Sequence, residues 1–325
     1  MVSRVPHNIF SGNTLGIGIV RGDKVLANIN NMYRPEEGGI HPRQAMDHHI
    51  NVAKKLLQDV LEEAKISIND IDLIAFSKGP GLPQCLRVGS VIARTLSLKL
   101  NKPLIPVNHC IAHIEIGKLL TGSSDPVTLY VSGGNTQIIA YTEKRYRVFG
   151  ETQDLPIGNA LDMFARHAGF PHPGAPEIEK LALKGKYIKM PYVVKGMDVS
   201  FSGIITHAIK LMKDHKLENI CYSLQETCFA MLTEVTERAM AHTNKNEVLL
   251  TGGVAANKRL TSMLDTMCKQ RNAKLYVCPM KYSGDNGAMI AWTGLLQYKN
   301  GYKTTLDNTK IDRYWRTEDV EINWL

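Results

Sequence analysis

The chain has 325 residues and a mass of 36.2 kDa, enough for two domains of about 150 residues each. Hydrophobic residues make up 44% and charged residues 22%, which excludes disordered, collagen-like and fibrous classes, while a mean hydropathy of −0.16 argues against membrane-spanning helices. The net charge of +8 suits a polyanion such as nucleic acid, although no run of five basic residues concentrates it, and residues 1–7 carry no apolar stretch, so a cytoplasmic chain is expected.

Read in chain order, the first signal is a polar glycine turn, Phe10-Ser11-Gly12-Asn13-Thr14, running into the strand-like Gly16-Ile17-Gly18-Ile19-Val20. Ile50, Ala53, Leu57, Val60, Leu61 and Ala64 recur at helical spacing, as do Val88, Val91, Ile92, Thr95 and Leu96, and both stripes are expected to face a core. Strands are expected at 71–76, 104–107, 127–131, 138–141, 248–250 and 274–278. Such alternation of short strands with helical periods indicates an α/β fold. A second hairpin, Val131-Ser132-Gly133-Gly134-Asn135-Thr136 followed by Gln137-Ile138-Ile139-Ala140, repeats the first and suggests duplicated nucleotide-binding lobes. The expected division is an N-terminal lobe over 1–125 carrying a His109/His113 helix and a C-terminal lobe over 126–325 carrying the glycine-rich loops. Within the latter, the basic segment 185–203, with Lys186, Lys189 and Lys195 and few periodic apolar residues, reads as an insertion or a lobe-crossing loop.

Asn108-His109-Cys110-Ile111-Ala112-His113 follows the strand expected at 104–107 and places His109 and His113 at i and i+4, on one helical face. Two neutral imidazoles holding a metal want a third, harder ligand. A carboxylate from another strand end would complete a two-histidine, one-carboxylate site suited to iron or zinc, and Asp285, in Ser283-Gly284-Asp285-Asn286-Gly287, is the candidate. Two histidines on one face also occur as plain hydrogen-bonded residues, so spacing alone leaves both readings open. The zincin protease pattern is excluded, because it needs a glutamate directly after the first histidine; this chain has Cys110 there, and Glu115 lies beyond the second histidine on another face. His48, His49, His167 and His172 form no comparable pattern, and six cysteines without a C-x-x-C pair read as reduced, buried thiols.

Glycine turns recur at strand ends in Gly79-Pro80-Gly81, Ser132-Gly133-Gly134-Asn135-Thr136 and Gly252-Gly253-Val254-Ala255-Ala256-Asn257. Glycine lets backbone amides approach a phosphate, and a helix starting just after adds a favourable dipole. No G-x-x-x-x-G-K-[ST] is present, which excludes the P-loop class, and no G-x-G-x-x-G follows the first strand, so a Rossmann dinucleotide site is not supported.

The chain resembles the universal tRNA threonylcarbamoyltransferase family in its archaeal and eukaryotic branch, the catalytic subunit of the KEOPS complex, formerly called O-sialoglycoprotein endopeptidase-like. The likeness runs from about Leu15 to the end and rests on Tyr130-Val131-Ser132-Gly133-Gly134-Asn135-Thr136-Gln137, Tyr146-Arg147-Val148-Phe149-Gly150-Glu151-Thr152, Val194-Lys195-Gly196-Met197-Asp198, Cys221-Tyr222-Ser223-Leu224-Gln225-Glu226, Gly252 to Asn257 and Gly284-Asp285-Asn286-Gly287. The resemblance implies the two-lobed actin, sugar-kinase and chaperone-ATPase (ASKHA) fold. It implies a metal, iron before zinc, held by His109, His113, Asp285 and Tyr130. It further implies phosphate and metal-linked contacts from Tyr130, Val131, Ser132, Gly133 and Gly134, and contacts to the nucleotide part of the ligand from Asp162, Ala175, Glu179 and Asn257. The implied ligand is an adenylate or ATP-type nucleotide, expected to be threonylcarbamoyl-adenylate, whose threonylcarbamoyl group passes to the adenosine beside the anticodon in tRNAs reading codons that start with A. The implied partners are tRNA, a small atypical protein kinase and small accessory or dimerising KEOPS subunits, with no membrane. No residue announces itself as general base.

Two features depart from the family pattern. Ile9 and Phe10 stand where an acidic residue and a glycine are usual before the small residue Ser11, with Pro6 in the expected first strand, and Ala175 replaces a second glycine in Pro173-Gly174-Ala175-Pro176-Glu177. Two alternatives stand beside this reading: an ATP-hydrolysing or kinase-like protein, since the same fold serves several chemistries, and a non-catalytic scaffold, which Ile9 and Phe10 keep open. The histidine pair discriminates, since sugar kinases and chaperone ATPases work with carboxylates and magnesium.

Overall fold

The computed structural model describes residues 6–7, 13–34 and 41–325. Ile9, Phe10, Ser11 and Gly12, the tip of the first glycine turn, lie outside the described residues. The chain divides into two compact units, the first built from Met1–Leu119, Glu143–Tyr146 and Asp285–Leu325, the second from Leu120–Thr142 and Arg147–Gly284. The first stretch of the first unit ends at Leu119, against an N-terminal lobe expected over 1–125. Asp285–Leu325, expected in the C-terminal lobe, belongs instead to the first unit, because the last long helix packs its apolar surface on that unit's sheet.

In the first unit a five-stranded sheet runs in the order β3-β2-β1-β4-β5, formed by β1 (Pro6–His7), β2 (Thr14–Arg21), β3 (Lys24–Met32), β4 (Leu73–Gly79) and β5 (Leu104–Asn108). β1, β2 and β3 pair antiparallel, whereas β4 pairs parallel with both β1 and β5. Pro6 is accommodated opposite Leu73 and does not exclude a strand. β4 and β5 are buried nearly throughout, as parallel strands covered on both faces are. Helices α1 (Pro42–Ala64) and α2 (Pro83–Leu100) cover the sheet. Their stripes bury Val60 and Val88 as expected, but Ile50 and Val91 turn outward, 55% and 61% exposed, because at 100° per residue they fall off the face that meets the strands. Ile71, expected to open a strand, instead closes a single 3₁₀ turn, Ile68–Asp70, fixed by a reciprocal cap between Ser67 and Asp70.

The second unit repeats this topology strand for strand. Its sheet, in the order β12-β11-β6-β7-β8, is formed by β6 (Val127–Val131), β7 (Thr136–Thr142), β8 (Arg145–Glu151), β11 (Glu247–Thr251) and β12 (Lys274–Val277). β6 pairs antiparallel with β7 and parallel with β11, and β11 pairs parallel with β12. The duplication anticipated from two hairpins is thus a duplication of whole sheets. Helices α5 (Ala175–Ala182), α6 (Ser202–Leu211) and α8 (Lys258–Gln270) pack against the 27-residue α7 (Leu217–Thr243), whose Leu224, Phe229 and Leu232 are fully buried, and α4 (Ile157–His167) packs on α5 and α6. Each such side chain contributes about 2 kcal/mol of burial. The basic segment 185–203 stays inside this unit, so it is not a lobe crossing; it holds only the short hairpin β9 (Val194–Lys195) and β10 (Asp198–Val199).

All six cysteines are buried and unpaired. Burial pushes the Cys85 thiol up to about 11 and Cys221 to about 12, which keeps them inert thiols. No helix among the described residues is long and apolar enough to cross a membrane.

Candidate functional site

In the first unit, β5 runs straight into α3 (His109–Thr121). Asn108 makes the junction: its side-chain oxygen accepts from the amides of Cys110 (3.0 Å) and Ile111 (3.3 Å), an N-cap worth about 1 kcal/mol. Its amide nitrogen donates to the carbonyl of Trp315 (3.1 Å). Residues 109–117 are buried without exception, so α3 has no polar face at which the two histidines could simply meet water.

Asp285 arrives from the other end of the chain, just ahead of α10 (Gly287–Lys299), whose start is capped by Asn286 accepting from Met289 N at 3.0 Å. α10 reaches the sheet through a glycine contact. A Cβ on Gly18 would stand 2.2 Å from Ala288 N, and one on Gly287 would stand 2.0 Å from Gly18 N. Asn28 Oδ1 accepts from Ala288 N at 3.1 Å and fixes the depth of the approach. In the sequence Gly16 and Gly18 read as ordinary strand residues. The signal that sets them apart is the pair of glycines on one strand face, which marks close approach of another backbone.

The result is a cluster of three ligand atoms within 4.8 Å of one another. Nε2 of His109 and Nε2 of His113 each lie 3.4 Å from Asp285 Oδ1, and the rings stand edge-on with centroids 4.8 Å apart. Atoms bound about 2.1 Å from one metal in tetrahedral or octahedral arrangement stand roughly 3.0–3.5 Å apart, so the two histidine–aspartate separations fit a shared ion. The protonation states fit as well. Burial lowers the His113 pKa to about 4, against the opposing pull of Asp285, so the imidazole is neutral. Burial opposes ionisation of Asp285, but His109 and the hydrogen bonds from both histidines outweigh it and hold the carboxyl well below the usual carboxylate range. An ionised carboxylate beside the neutral His113 imidazole is a donor set that a cation suits. Cys110 is no ligand: burial pushes its thiol up to about 12. Glu115, already set aside as a protease base, is buried and occupied, accepting from the Tyr146 hydroxyl at 2.5 Å with Lys118 Nζ 3.8 Å away.

In the second unit, the two glycine turns follow neighbouring parallel strands. Ser132 Oγ accepts from Gly134 N (3.2 Å) and Asn135 N (2.9 Å), which sets the β6–β7 turn. Gly133 and Gly134 have nothing within 4 Å of where a Cβ would stand, so no packing demand of the protein explains them. Gly252, at φ +99°, ends β11, and a Cβ there would strike the Val131 carbonyl at 2.1 Å. Both turns therefore sit at carboxyl ends of parallel strands, where α/β sheets bind ligands. The 3₁₀ turn Gly253–Ala256 leads to Asn257, whose oxygen caps α8 by accepting from Arg259 N and Leu260 N, and whose amide donates to Gln225. Beside it opens a recess of about 310 Å³ lined by Ala255, Ala256, Lys258, Val277 and Cys278 among others.

Asp162 Oδ1 accepts from Gly174 N at 2.7 Å, directly before Ala175 opens α5. One turn on, Glu179 accepts from Lys258 N at 2.8 Å. Asp162 of α4 thus holds the start of α5, on which Ala175 lies, and Glu179 of α5 holds the start of α8 next to Asn257. Tyr130, the fourth expected metal residue, lies in the second unit at the end of β6, its hydroxyl 3.5 Å from Asn135 Nδ2. The turn at Gly79 differs from expectation: the carbonyl of Asp312 fills the space where a Cβ would stand, 1.7 Å away, and Asp312 N donates to Lys78 O. That glycine serves the packing of the C-terminal segment.

The sequence signature of the tRNA N6-adenosine threonylcarbamoyltransferase (TsaD) family matches residues 24–292. A tRNA N6-adenosine threonylcarbamoyltransferase of Thermococcus sibiricus is 56% identical over 317 residues, 97% of this chain and 98% of its own length. One of Archaeoglobus fulgidus is 56% identical over 313 residues, 96% of both. A probable bifunctional tRNA threonylcarbamoyladenosine biosynthesis protein of Methanocaldococcus jannaschii is 59% identical, but this chain spans only 58% of its length. Among solved structures, Thermococcus kodakarensis HypF superposes with a TM-score of 0.68 at 14% identity over 95% of this chain and 50% of that one. Component A of the (R)-2-hydroxyglutaryl-CoA dehydratase of Acidaminococcus fermentans gives 0.53 at 13% identity, over 90% and 98%. At such identities these likenesses speak for the fold, which is of the ASKHA type.

Proposed function

The chain belongs to the tRNA N6-adenosine threonylcarbamoyltransferase family, and we propose that it transfers the threonylcarbamoyl group of threonylcarbamoyl-adenylate to the exocyclic amine of the adenosine beside the anticodon in tRNAs reading codons that start with A. The carrying observation is the convergence of His109, His113 and Asp285 on one point, built by a buried helix and a glycine-packed helix start. A hard and borderline set of two imidazoles and a carboxylate favours iron, with zinc the second choice. When bound, such an ion supplies Lewis-acid stabilisation of developing negative charge.

The chain's own residues do the rest. The amides of the Ser132–Gly134 turn and the turn at Gly252 hold the adenylate phosphate, and Asp162, Ala175, Glu179 and Asn257 flank the nucleoside. In the reaction a carbon–nitrogen bond forms as the adenosine amine attacks the carbamoyl carbonyl, the carbon–oxygen bond to phosphate breaks, and AMP leaves with the electron pair. The amine proton passes to solvent; no side chain is assigned as its acceptor. Fixing a poor nucleophile against an activated carbonyl supplies much of the rate. In this reading the chain acts in the cytoplasm together with a small kinase subunit and accessory subunits of the KEOPS type. The histidine pair speaks against the kinase-like alternative.

The test measures metal content and transfer to a tRNA transcript for His109→Ala, His113→Ala and Asp285→Ala. Each is expected to lose most metal and at least about 90% of transfer with the fold kept, and full metal retention in the double histidine variant would refute the site.

A further inference from the structure

Residues 180–195 hold five lysines and no carboxylate, more than half of the net charge of +8, and the site above uses none of these lysines. The segment lies directly on α7. Lys186 N donates to Asn219 Oδ1 at 2.8 Å, Ile188 N donates to Ser223 Oγ at 2.6 Å, and a Cβ on Gly185 would meet the Glu218 carbonyl at 2.2 Å. Ile188 packs against the core and Met190 is buried, so the backbone is pinned from within. Lys184, Lys186, Lys189 and Lys195 are all exposed, and among the described residues none pairs with a carboxylate. Only Lys180, on α5, has such a partner, Glu177.

Aromatic residues interleave with these lysines. Tyr187 and Tyr192 are 57% and 50% exposed, and with Tyr222 of α7 they line a recess of about 340 Å³, together with Ala230, Met263 and Glu226, the last engaged by Arg259. The Tyr192 hydroxyl donates to Glu234, which Arg238 also engages, so the ring is held in place. An acidic protein surface would satisfy the lysines but has no use for three tyrosines converging on one recess. A nucleotide chain satisfies both, with phosphates on the lysines and a base stacked on the rings.

We propose that the lysines of 180–195 and the tyrosine recess beside α7 form a contact surface for unpaired RNA nucleotides, the phosphates lying on Lys184, Lys186 and Lys189 and one base stacking in the recess. This rests on the reading of tRNA as substrate and names a surface that holds it. Filter binding of a tRNA transcript to the full chain across a salt series tests it. Replacing Lys184, Lys186 and Lys189 together by alanine is expected to flatten the slope of log K against log salt by about 2, near 0.7 per phosphate, which is about a hundred-fold loss of affinity at 0.1 M salt. Tyr187→Ala is expected to weaken binding roughly five- to a hundred-fold with the slope unchanged, and Tyr187→Phe to restore it. Wild-type affinity and slope in the triple variant overturn the proposal, as does absence of measurable binding by the wild-type chain at the lowest salt. Transfer assayed in parallel separates the two ideas. Transfer by wild type with unaltered binding in the triple variant rejects this surface alone, whereas lysine-dependent RNA binding without any transfer rejects the activity and leaves the surface standing.

Discussion

Replacing Gly18 with alanine tests whether the metal ligands are placed by the glycine contact between β2 and α10. The added methyl would stand 2.2 Å from Ala288 N, 2.4 Å from the Gly287 carbonyl carbon and 2.6 Å from Ala288 Cα, all backbone atoms that cannot rotate aside. Ordinary contact begins at 3.4 Å, so the start of α10 must retreat by about 1.2 Å. Overpacking of this kind costs about 1–3 kcal/mol, or roughly 1.5–4.5 °C in Tm for a chain of this size. Asp285 lies two residues upstream of Gly287 and moves with it, while metal–ligand distances tolerate only about 0.2 Å. Metal affinity should therefore fall at least about 10-fold, and up to about 100-fold, in protein that is still folded. Titration with a spectroscopically visible divalent ion, beside thermal melts, reads both quantities. Gly203→Ala, on an exposed helical position with nothing within 4 Å, is the control and should be neutral or slightly stabilising. Wild-type metal affinity and Tm in Gly18→Ala would show that the packing does not position Asp285.

Two further outcomes are expected. Because the folded-state pKa of His113 is lowered by burial to about 4, from 6.5, metal-free protein should be destabilised as pH falls below about 6.5, by roughly 2 kcal/mol at pH 5, with no further loss from this group below 4. Asp285, held ionised far below the usual carboxylate range, keeps its contribution across that window, so urea titrations at pH 7 and 5 should lose their difference in His113→Gln; an unchanged difference would assign the acid sensitivity elsewhere. Gly134→Val should leave stability within about 0.5 kcal/mol, since nothing lies within 4 Å of the new Cβ, yet weaken adenylate binding at least about 10-fold in calorimetry, and equal affinities would remove the β6–β7 turn from the phosphate site.

Elements whose signal is local were legible in the order of residue types. Apolar runs marked β5 and β6 to within a residue, the i, i+4 spacing put His109 and His113 on one face, and the repeated hairpin announced a duplication that extends to whole five-stranded sheets. Ordered motifs over nearly the full chain identified the family before any geometry was known. Helical period alone did not fix which residues turn inward, because the face a helix buries depends on the strands it meets, and Ile50 and Val91 ended outside. The folded chain was needed to show that Asp285–Leu325 returns to the first unit, that Asp285 stands 3.4 Å from both imidazoles, and that Gly18 and Gly287 must be glycine for it to do so. It was also needed to show that Lys184, Lys186 and Lys189 are exposed together on a pinned segment. These are contacts between residues far apart in the chain or set by a partner element, and their energies depend on distances of closest approach, which no local pattern of residue types encodes.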